Sequence, residues 1–483
     1  MYDVRKLLLS VVALVGMSTV YAQTDGVQTD GVQTYGVQTY GVQTYGVQTY
    51  GVQTYGAQMA GTQMGGHQWT LKECIDYAEQ HSIEIWRAKA LAEQAKVEVL
   101  QNKAEWLPSL SASTSHRVLY TPFLEGSNGV DIDKVNYNGS YGVNANWTVW
   151  NGNQTANNIR LAKLASEQSE LQNDIFLNKI KEQATQLYVQ ILYTEEALKV
   201  NRELLEQDRT LYNRGEELLK QGQIAKYELL ELQTQVANGE YDIVNTQTQI
   251  ELYKLQMMDL INLPDDVPFD IVPLTISDQQ ALAAIPSTDD VYQQALTTRP
   301  EIRDAELAIK KSELSYSIAK AGYHPTVDLT AGVGSNYTSA THNDYFTQMK
   351  RNFDASVGVN VSVPILDNRR TKSNVQKADI SRTIAKLDKE DVESELYYSI
   401  ANYRLQAVNN QQKFQSGLAR LKYNKENYNA IYEKAQIGTM NIVETFNART
   451  NLLNAQQDVL QSKYLTIYNM QMLRLYSNLP IEI

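Results

Sequence analysis

The chain has 483 residues, 43 basic against 55 acidic side chains, a formal net charge of −12 and a pI near 5.1, a balance that excludes the basic footprint of a nucleic-acid binder. Its one cysteine, Cys74, excludes an internal disulfide and a thiolate metal cluster. Mean hydropathy is −0.41, and no stretch beyond the N-terminus supplies the ~18 apolar residues of a membrane helix, which excludes a multi-span helical protein but not a β-barrel.

Arg5 and Lys6 precede an apolar run from Leu7 to Val15, and small residues lead to Val20-Tyr21-Ala22. That order predicts a secretory signal peptide over 1–22 and an exported mature chain. No cysteine follows the cut, so a lipid anchor on an N-terminal Cys is excluded. Residues 23–66 repeat Gly-Val-Gln-Thr-Tyr, with glycine at 26, 31, 36, 41, 46, 51, 56 and 61. Glycine at every fifth position suits neither a helix nor a regular strand, so this segment reads as a low-complexity tail.

The ten prolines leave two long intervals free, 123–263 and 365–479, both rich in Leu, Gln, Glu, Lys and Ala. Proline breaks helices, so long helices belong there. One from about Gln154 to Arg214 would run roughly 90 Å at 1.5 Å per residue. Landmarks in the first half recur in the second. Ile85 and Pro108 return as Ile302 and Pro325, an offset of 217. Asn158, Ala162, Tyr212, Gly222 and Asn262-Leu263-Pro264 return as Asn374, Ala378, Tyr428, Gly438 and Asn478-Leu479-Pro480, an offset of 216. The chain therefore reads as two tandem repeats, 67–262 and 288–483, joined by a linker, 263–287. Each repeat reads helix, strand, strand, long helix, glycine-marked turn, helix.

In the last helix of the first repeat, Leu232, Val236, Gly239, Ile243, Thr246, Ile250, Tyr253, Met257 and Leu260 alternate by four and three, the seam of a helix packed lengthwise on another. The second repeat starts alike with Ala448, Leu452, Ala455 and Val459, then turns polar. That drift predicts a helix with two wet sides, as in the wall of a water-filled tube.

Strand pairs are expected within 108–150 and 325–364. In the first, Tyr141, Val143, Ala145, Trp147 and Val149 alternate with Ser140, Gly142, Asn144, Asn146 and Thr148. In the second, Val327 and Leu329, then Phe353, Val357, Val359 and Val361, alternate with Gly, Ser, Asn, Asp and Thr. Strict period two with one apolar face is a half-buried strand. A soluble sheet packed on helices gives the same pattern. Aromatic residues near the strand ends and a face of small polar residues favour a transmembrane barrel with an aqueous lumen instead. The lipid-facing set is then Tyr141, Val143, Trp147, Val149, Val327, Leu329, Phe353, Val357, Val359 and Val361. Four strands cannot close a barrel, which takes about eight, so several chains must share one.

Signal peptide, tandem halves, strand pairs between long helices and glycine-marked hairpins together make the chain resemble the TolC-like outer-membrane efflux proteins over about 67–483. The carrying segments are Glu105-Trp106-Leu107-Pro108, Gly322-Tyr323-His324-Pro325, Val363-Pro364-Ile365-Leu366-Asp367-Asn368, Gly438-Thr439-Met440-Asn441-Ile442-Val443-Glu444 and its first-half counterpart Gly222-Gln223-Ile224-Ala225-Lys226-Tyr227-Glu228. The resemblance implies a mixed, mainly α membrane protein. Its homotrimer would share a 12-stranded outer-membrane β-barrel and a long periplasmic α-helical barrel. It further implies a passive exit duct for efflux or type I secretion, driven by an inner-membrane pump through a periplasmic adaptor (membrane fusion protein). The hairpin tips Gly222, Gln223, Gly438 and Thr439 would dock the adaptor. The periplasmic constriction would fall on Glu228, Glu444 and Asn447, the last uncharged where the family carries a second acidic ring. The family's basic and tyrosine gate partners would fall on Met440 and Ala435.

Nothing in the sequence points to an enzyme or a cofactor. Histidines 67, 81, 116, 324 and 342 form no i,i+4 pair, Cys74 lacks the setting of a nucleophile, and there is no phosphate-binding glycine loop. Asp328 and Asp354 could meet across strands, an unusual place for catalytic carboxylates. Two non-enzymatic alternatives compare less well. A periplasmic coiled-coil scaffold or adaptor would not explain the lipid-like alternation, and a trimeric adhesin would not explain the duplicated hairpins.

Overall fold

Each half of the chain runs helix, helix, strand, strand, long helix, helix, and the second half has a further short helix between its strands. The computed structural model describes residues 67–120, 135–274, 276–341, 343–437 and 442–482. Residues 1–66, read above as signal peptide and repeat tail, lie outside the described residues. The first half runs α1 (Leu71–His81), α2 (Ile83–Ala104), β2 (Ser109–Tyr120), β3 (Val135–Trp150), α3 (Gln154–Lys220) and α4 (Lys226–Ile261), after a short β1 (Gln68–Trp69). A connection with β4 (Asp270–Ile271) and α5 (Asp278–Ala281) leads to the second half. That half comprises α6 (Thr288–Thr298), α7 (Pro300–Ala321), β5 (Thr326–Thr338), α8 (Tyr345–Arg351), β6 (Asp354–Ser362), α9 (Arg370–Gln436) and α10 (Ile442–Tyr476).

The correspondence reaches the backbone. α2 and α7 both have 22 residues, and α3 and α9 both have 67, or ~100 Å at 1.5 Å per residue. Thr70 and Ser287 cap α1 and α6 through their hydroxyls, 217 residues apart. Two successive left-handed residues turn the chain into each long helix: Gly152 and Asn153 in the first half, Asn368 and Arg369 in the second. Asn262 and Asn478 share φ 56° and end α4 and α10 alike. There Leu263 N–H donates to Met258 O, and Leu479 N–H to Arg474 O, each across six residues. Pro264 and Pro480 then block further helix. The change of offset sits in the strand hairpin, because Ser109 faces Asn146 while Thr326 faces Ser362.

α3 packs on α4 and α10, and α10 packs on α9. α2 lies on α3, and α7 sits between α3 and α9. All nine seam residues of α4 are buried or half-buried. The polar drift of α10 has the opposite meaning from the one expected. Its seam continues through Ser462, Thr466 and Asn469, all buried. Ser462 Oγ donates to Asp458 O, Thr466 Oγ1 to Ser462 O and Asn469 Nδ2 to Leu465 O. Small polar side chains that bond their own helix can be buried cheaply, so this part of α10 is core, not a wet wall. The 263–287 segment is also more than a tether. Phe269, Ile271 and Ile276 enter the main core with Trp69, Tyr188 and Met257, and β4 pairs in parallel with β1.

Candidate functional site

The four long strands form one antiparallel sheet in the order β2-β3-β5-β6. Directly opposed residues in such a ladder share a face. The register gathers Leu110, Ala145, Ala331 and Val357 in one row, Ala112, Val143, Val333 and Ala355 in the next, and Trp147, Leu329 and Val359 in a third. Rows between them point the other way: Ser109, Asn146, Thr330 and Gly358; Ser111, Asn144, Gly332 and Ser356; Thr148, Asp328 and Asn360. The amphipathic alternation therefore belongs to the whole sheet. One expected residue is displaced. The register shifts between Thr148 and Trp150, so Val149 is the extra residue of a bulge and Trp150 takes the place opposite Val327. Phe353 stands one residue before β6.

Aromatic rings gather at both ends of the apolar face. Near one end His116 lies against Tyr137 and Tyr141, and Tyr337 bridges Tyr137 and Tyr345. At the other, Trp147 Nε1 donates to Trp106 O at 2.9 Å and Trp150 meets His324 edge-on. Asp328 and Asp354 do not pair. Thr148 Oγ1 donates to Asp328 Oδ1 at 2.7 Å, and Asp354 lies opposite Gly334.

At the first helical hairpin, Gly222 has φ +69°, and its N–H and that of Gln223 donate to Leu219 O and Leu218 O. A left-handed glycine closing α3 this way is a helix C-cap. Gly222 and Gln223 are exposed. Glu228 is the third residue of α4, and its Oε2 accepts from Ala225 N–H at 2.8 Å. It thus satisfies a helix-start donor, whatever else it does. Glu444 and Asn447, on the first turns of α10, are exposed. Gly438, Thr439 and Met440 lie outside the described residues, and Ala435 is the penultimate residue of α9.

The sequence did not single out the charged node that ties the halves together above the hairpins. Asp208 on α3 and Arg449 on α10 are both buried. Asp208 Oδ1 and Oδ2 accept from Arg449 Nε at 3.0 and 2.9 Å, and Oδ2 also accepts from Nη2 at 2.8 Å. Gln235 on α4, with its amide oxygen turned to the guanidinium, accepts from Nη1 at 2.6 Å. Burial pushes the Asp208 pKa above the ordinary carboxylate value, and Arg449 opposes that rise. The available signal was Asp208 standing in register with Leu204, Leu205 and Leu211, all buried.

Among the described residues, no group of His, Cys, Asp and Glu could hold a metal ion, and no helix is long and apolar enough to cross a membrane. Cys74 is fully buried, and desolvation pushes its thiol up to about 12, so it is no nucleophile.

Comparison with known proteins follows this geometry. A family model described as outer membrane efflux protein matches residues 74–262 and 291–478. The cation efflux system protein CusC of Escherichia coli O157:H7 is 26% identical over 179 residues, covering 35% of this chain and 36% of that protein. The outer membrane efflux protein BepC of Brucella suis biovar 1 is 19% identical over 361 residues, 71% of this chain and 74% of that protein. The probable outer membrane lipoprotein SilC of Salmonella typhimurium is 21% identical over 194 residues, 38% and 39% of the two chains. The chain thus spans under two fifths of the length of SilC and CusC in those alignments. Among solved structures, CusC has a TM-score of 0.71 at 16% identity, covering 86% of this chain and 95% of that one. VceC of Vibrio cholerae has a TM-score of 0.70 at 16% identity, covering 85% and 97%.

Proposed function

Because the chain belongs to the outer membrane efflux protein family, we propose that three copies close into a duct that an inner-membrane pump loads through a periplasmic adaptor. The family places the chain in the outer membrane with its helical tunnel in the periplasm, and its fold is the mainly α, TolC-like one. What carries the reading is the pair of open edges. β2 and β6 each have one neighbour in the sheet, and every full row of the sheet is either apolar or small and polar. Unpaired edges on an amphipathic sheet need partners, and a second copy supplies them. Three chains give 12 strands, within the range of known barrels.

On this reading the apolar rows, with Tyr141, Val143, Trp147, Val327, Leu329, Val357, Val359 and Val361, face lipid, and the rings at either end mark the headgroup levels. The Ser, Asn, Gly and Thr rows line the lumen. Three copies of Glu444 ring the periplasmic end and favour cations there, while Asn447 adds no charge one turn on. Gly222, Gln223, Gly438 and Thr439 form the surface on which the adaptor docks. Energy comes from the pump, in an efflux or type I secretion assembly. A photo-crosslinking residue at Gln223 or Thr439 in living cells tests the docking. Adducts with a periplasmic adaptor support it, and adducts confined to copies of this chain refute it.

A further inference from the structure

The duplication supplies a template for the contact between copies. Within the chain, α7 is held on two flanks. Against α3, Gln172 Nε2 donates to Asp304 Oδ1 at 3.2 Å, Arg303 Nη2 reaches Glu167 Oε1 at 3.0 Å and Lys311 Nζ donates to Gln168 Oε1 at 2.6 Å. Against α9, Lys389 Nζ pairs with Glu306 at 3.3 Å. Its counterpart α2 rests on α3, where Lys96 pairs with Glu170 at 3.4 Å. On the other flank of α2, Val97 and Leu100 are exposed.

Symmetry names what belongs there. As α7 of the second repeat sits on α3 of the first, so α2 of the first repeat sits on α9 of a second repeat, from another copy. The required face of α9 is bare as well: Ile380, Ile384 and Leu387 are exposed, whereas their α3 counterparts Leu164, Gln168 and Leu171 are half-buried. Further along, Leu405 is 67% exposed where its counterpart Val189 is 4% exposed.

The offsets of 217 for α2 and α7, and 216 for α3 and α9, convert a contact of α7 with α3 inside the chain into one of α2 with α9 between chains. Asp304 maps to Arg87 and Gln172 maps to Asp388. We infer that Arg87 of one copy forms an ion pair with Asp388 of the next, and that this pair fixes the register of the α2–α9 seam. An amide–carboxylate hydrogen bond within the chain thereby becomes a guanidinium–carboxylate pair between chains, the stronger and more directional of the two. Arg87 and Asp388 are both exposed, and among the described residues neither joins an ion pair.

The inference rests on the ring of copies proposed above, and the experiment separates the two. The full chain and its R87E, D388K and R87E/D388K variants are purified in detergent. Mass is read by light scattering and subunit exchange by mixing differently labelled copies. Each single variant speeds exchange at least tenfold, and the double variant returns to within threefold of wild type. Chains carrying Arg87→Cys mixed with chains carrying Asp388→Cys give a two-chain product with a short bismaleimide, and neither does so alone. Unchanged single variants, or a double variant as fast as both effects combined, overturn the pair and leave the ring standing. A wild-type mass of one chain removes the ring itself.

Discussion

Replacing Arg449 by Met should uncouple the two halves of the chain just above the hairpins. Met keeps much of the apolar stem of Arg but leaves the Asp208 carboxylate, 4% exposed, without the guanidinium that meets both its oxygens at 2.8–3.0 Å. Breaking a buried pair from one side costs about 3–5 kcal/mol, because the surviving charge keeps its desolvation penalty. At 1.4 kcal/mol per tenfold, local opening becomes roughly a hundred to a few thousand times more frequent. Hydrogen exchange of the α3 and α10 amides around 208 and 449 reads that opening. The pH dependence gives a second test. Burial already raises the Asp208 pKa and Arg449 is what opposes the rise. Without Arg449 the folded pKa climbs further above the unfolded value of about 3.9. A raised carboxylate contributes stability below the unfolded pKa and loses it as pH rises through the folded one. The deficit of R449M should therefore shrink on acidification, as Asp208 takes up a proton. The D208L/R449M variant, with neither charge, should recover most of the protection. A less than threefold change in exchange for R449M at neutral pH, or a deficit that widens in acid, would refute the reasoning.

Three further outcomes are expected. Val359 and Asn360 are neighbours on opposite faces of β6, so Val359→Lys should cost ~2–4 kcal/mol of barrel stability in lipid while Asn360→Lys costs little; equal unfolding midpoints in liposomes would contradict the face assignment. The E228Q/E444Q variant should lose cation selectivity in planar-bilayer recordings with its fold intact, since Gln at 228 still accepts from Ala225 N–H; unchanged selectivity removes the constriction role. Cys74 should resist maleimide until the chain unfolds. Its thiol stays neutral in the fold up to about 12 while the unfolded thiol ionises near 8.5, so its contribution to stability is lost as pH rises through that window; labelling of the native protein at pH 8 would contradict the burial.

Large features with a local cause were legible in the sequence. Proline-free windows located α3 and α9, Asn-Leu-Pro located the ends of α4 and α10, and period two located β3 and β6. What misled was reading polarity as exposure. Ser462 and Thr466 look wet, yet each closes its hydroxyl hydrogen bond on its own helix four residues back and needs no water, and Asn469 does the same with its Nδ2 donor. The bulge at Val149 escaped because strict alternation carries no mark of an inserted residue, and only pairing with Val327 reveals it. The node escaped for another reason. Asp208 and Arg449 are 241 residues apart and belong to different repeats, so neither local periodicity nor the match between halves brings them together.

That node also shows where duplication stopped being symmetric. A perfect repeat would place the same residues at every seam, giving six equivalent joints in a ring of three chains. The positions equivalent to Asp208, Gln235 and Arg449 are Asn424, Asn451 and Gln233, and none is charged. The buried ion pair therefore occurs once per chain, at the α3–α10 joint inside it. In the proposed ring, the corresponding joint between α9 of one chain and α4 of the next would carry only amides at these places. An amide pair has no charge to strand when it parts, whereas separating Asp208 from Arg449 leaves two in a dry interior. The helical wall of that ring should consequently resist parting more strongly within a chain than between chains at this level, a difference set by three side chains on an otherwise repeated backbone.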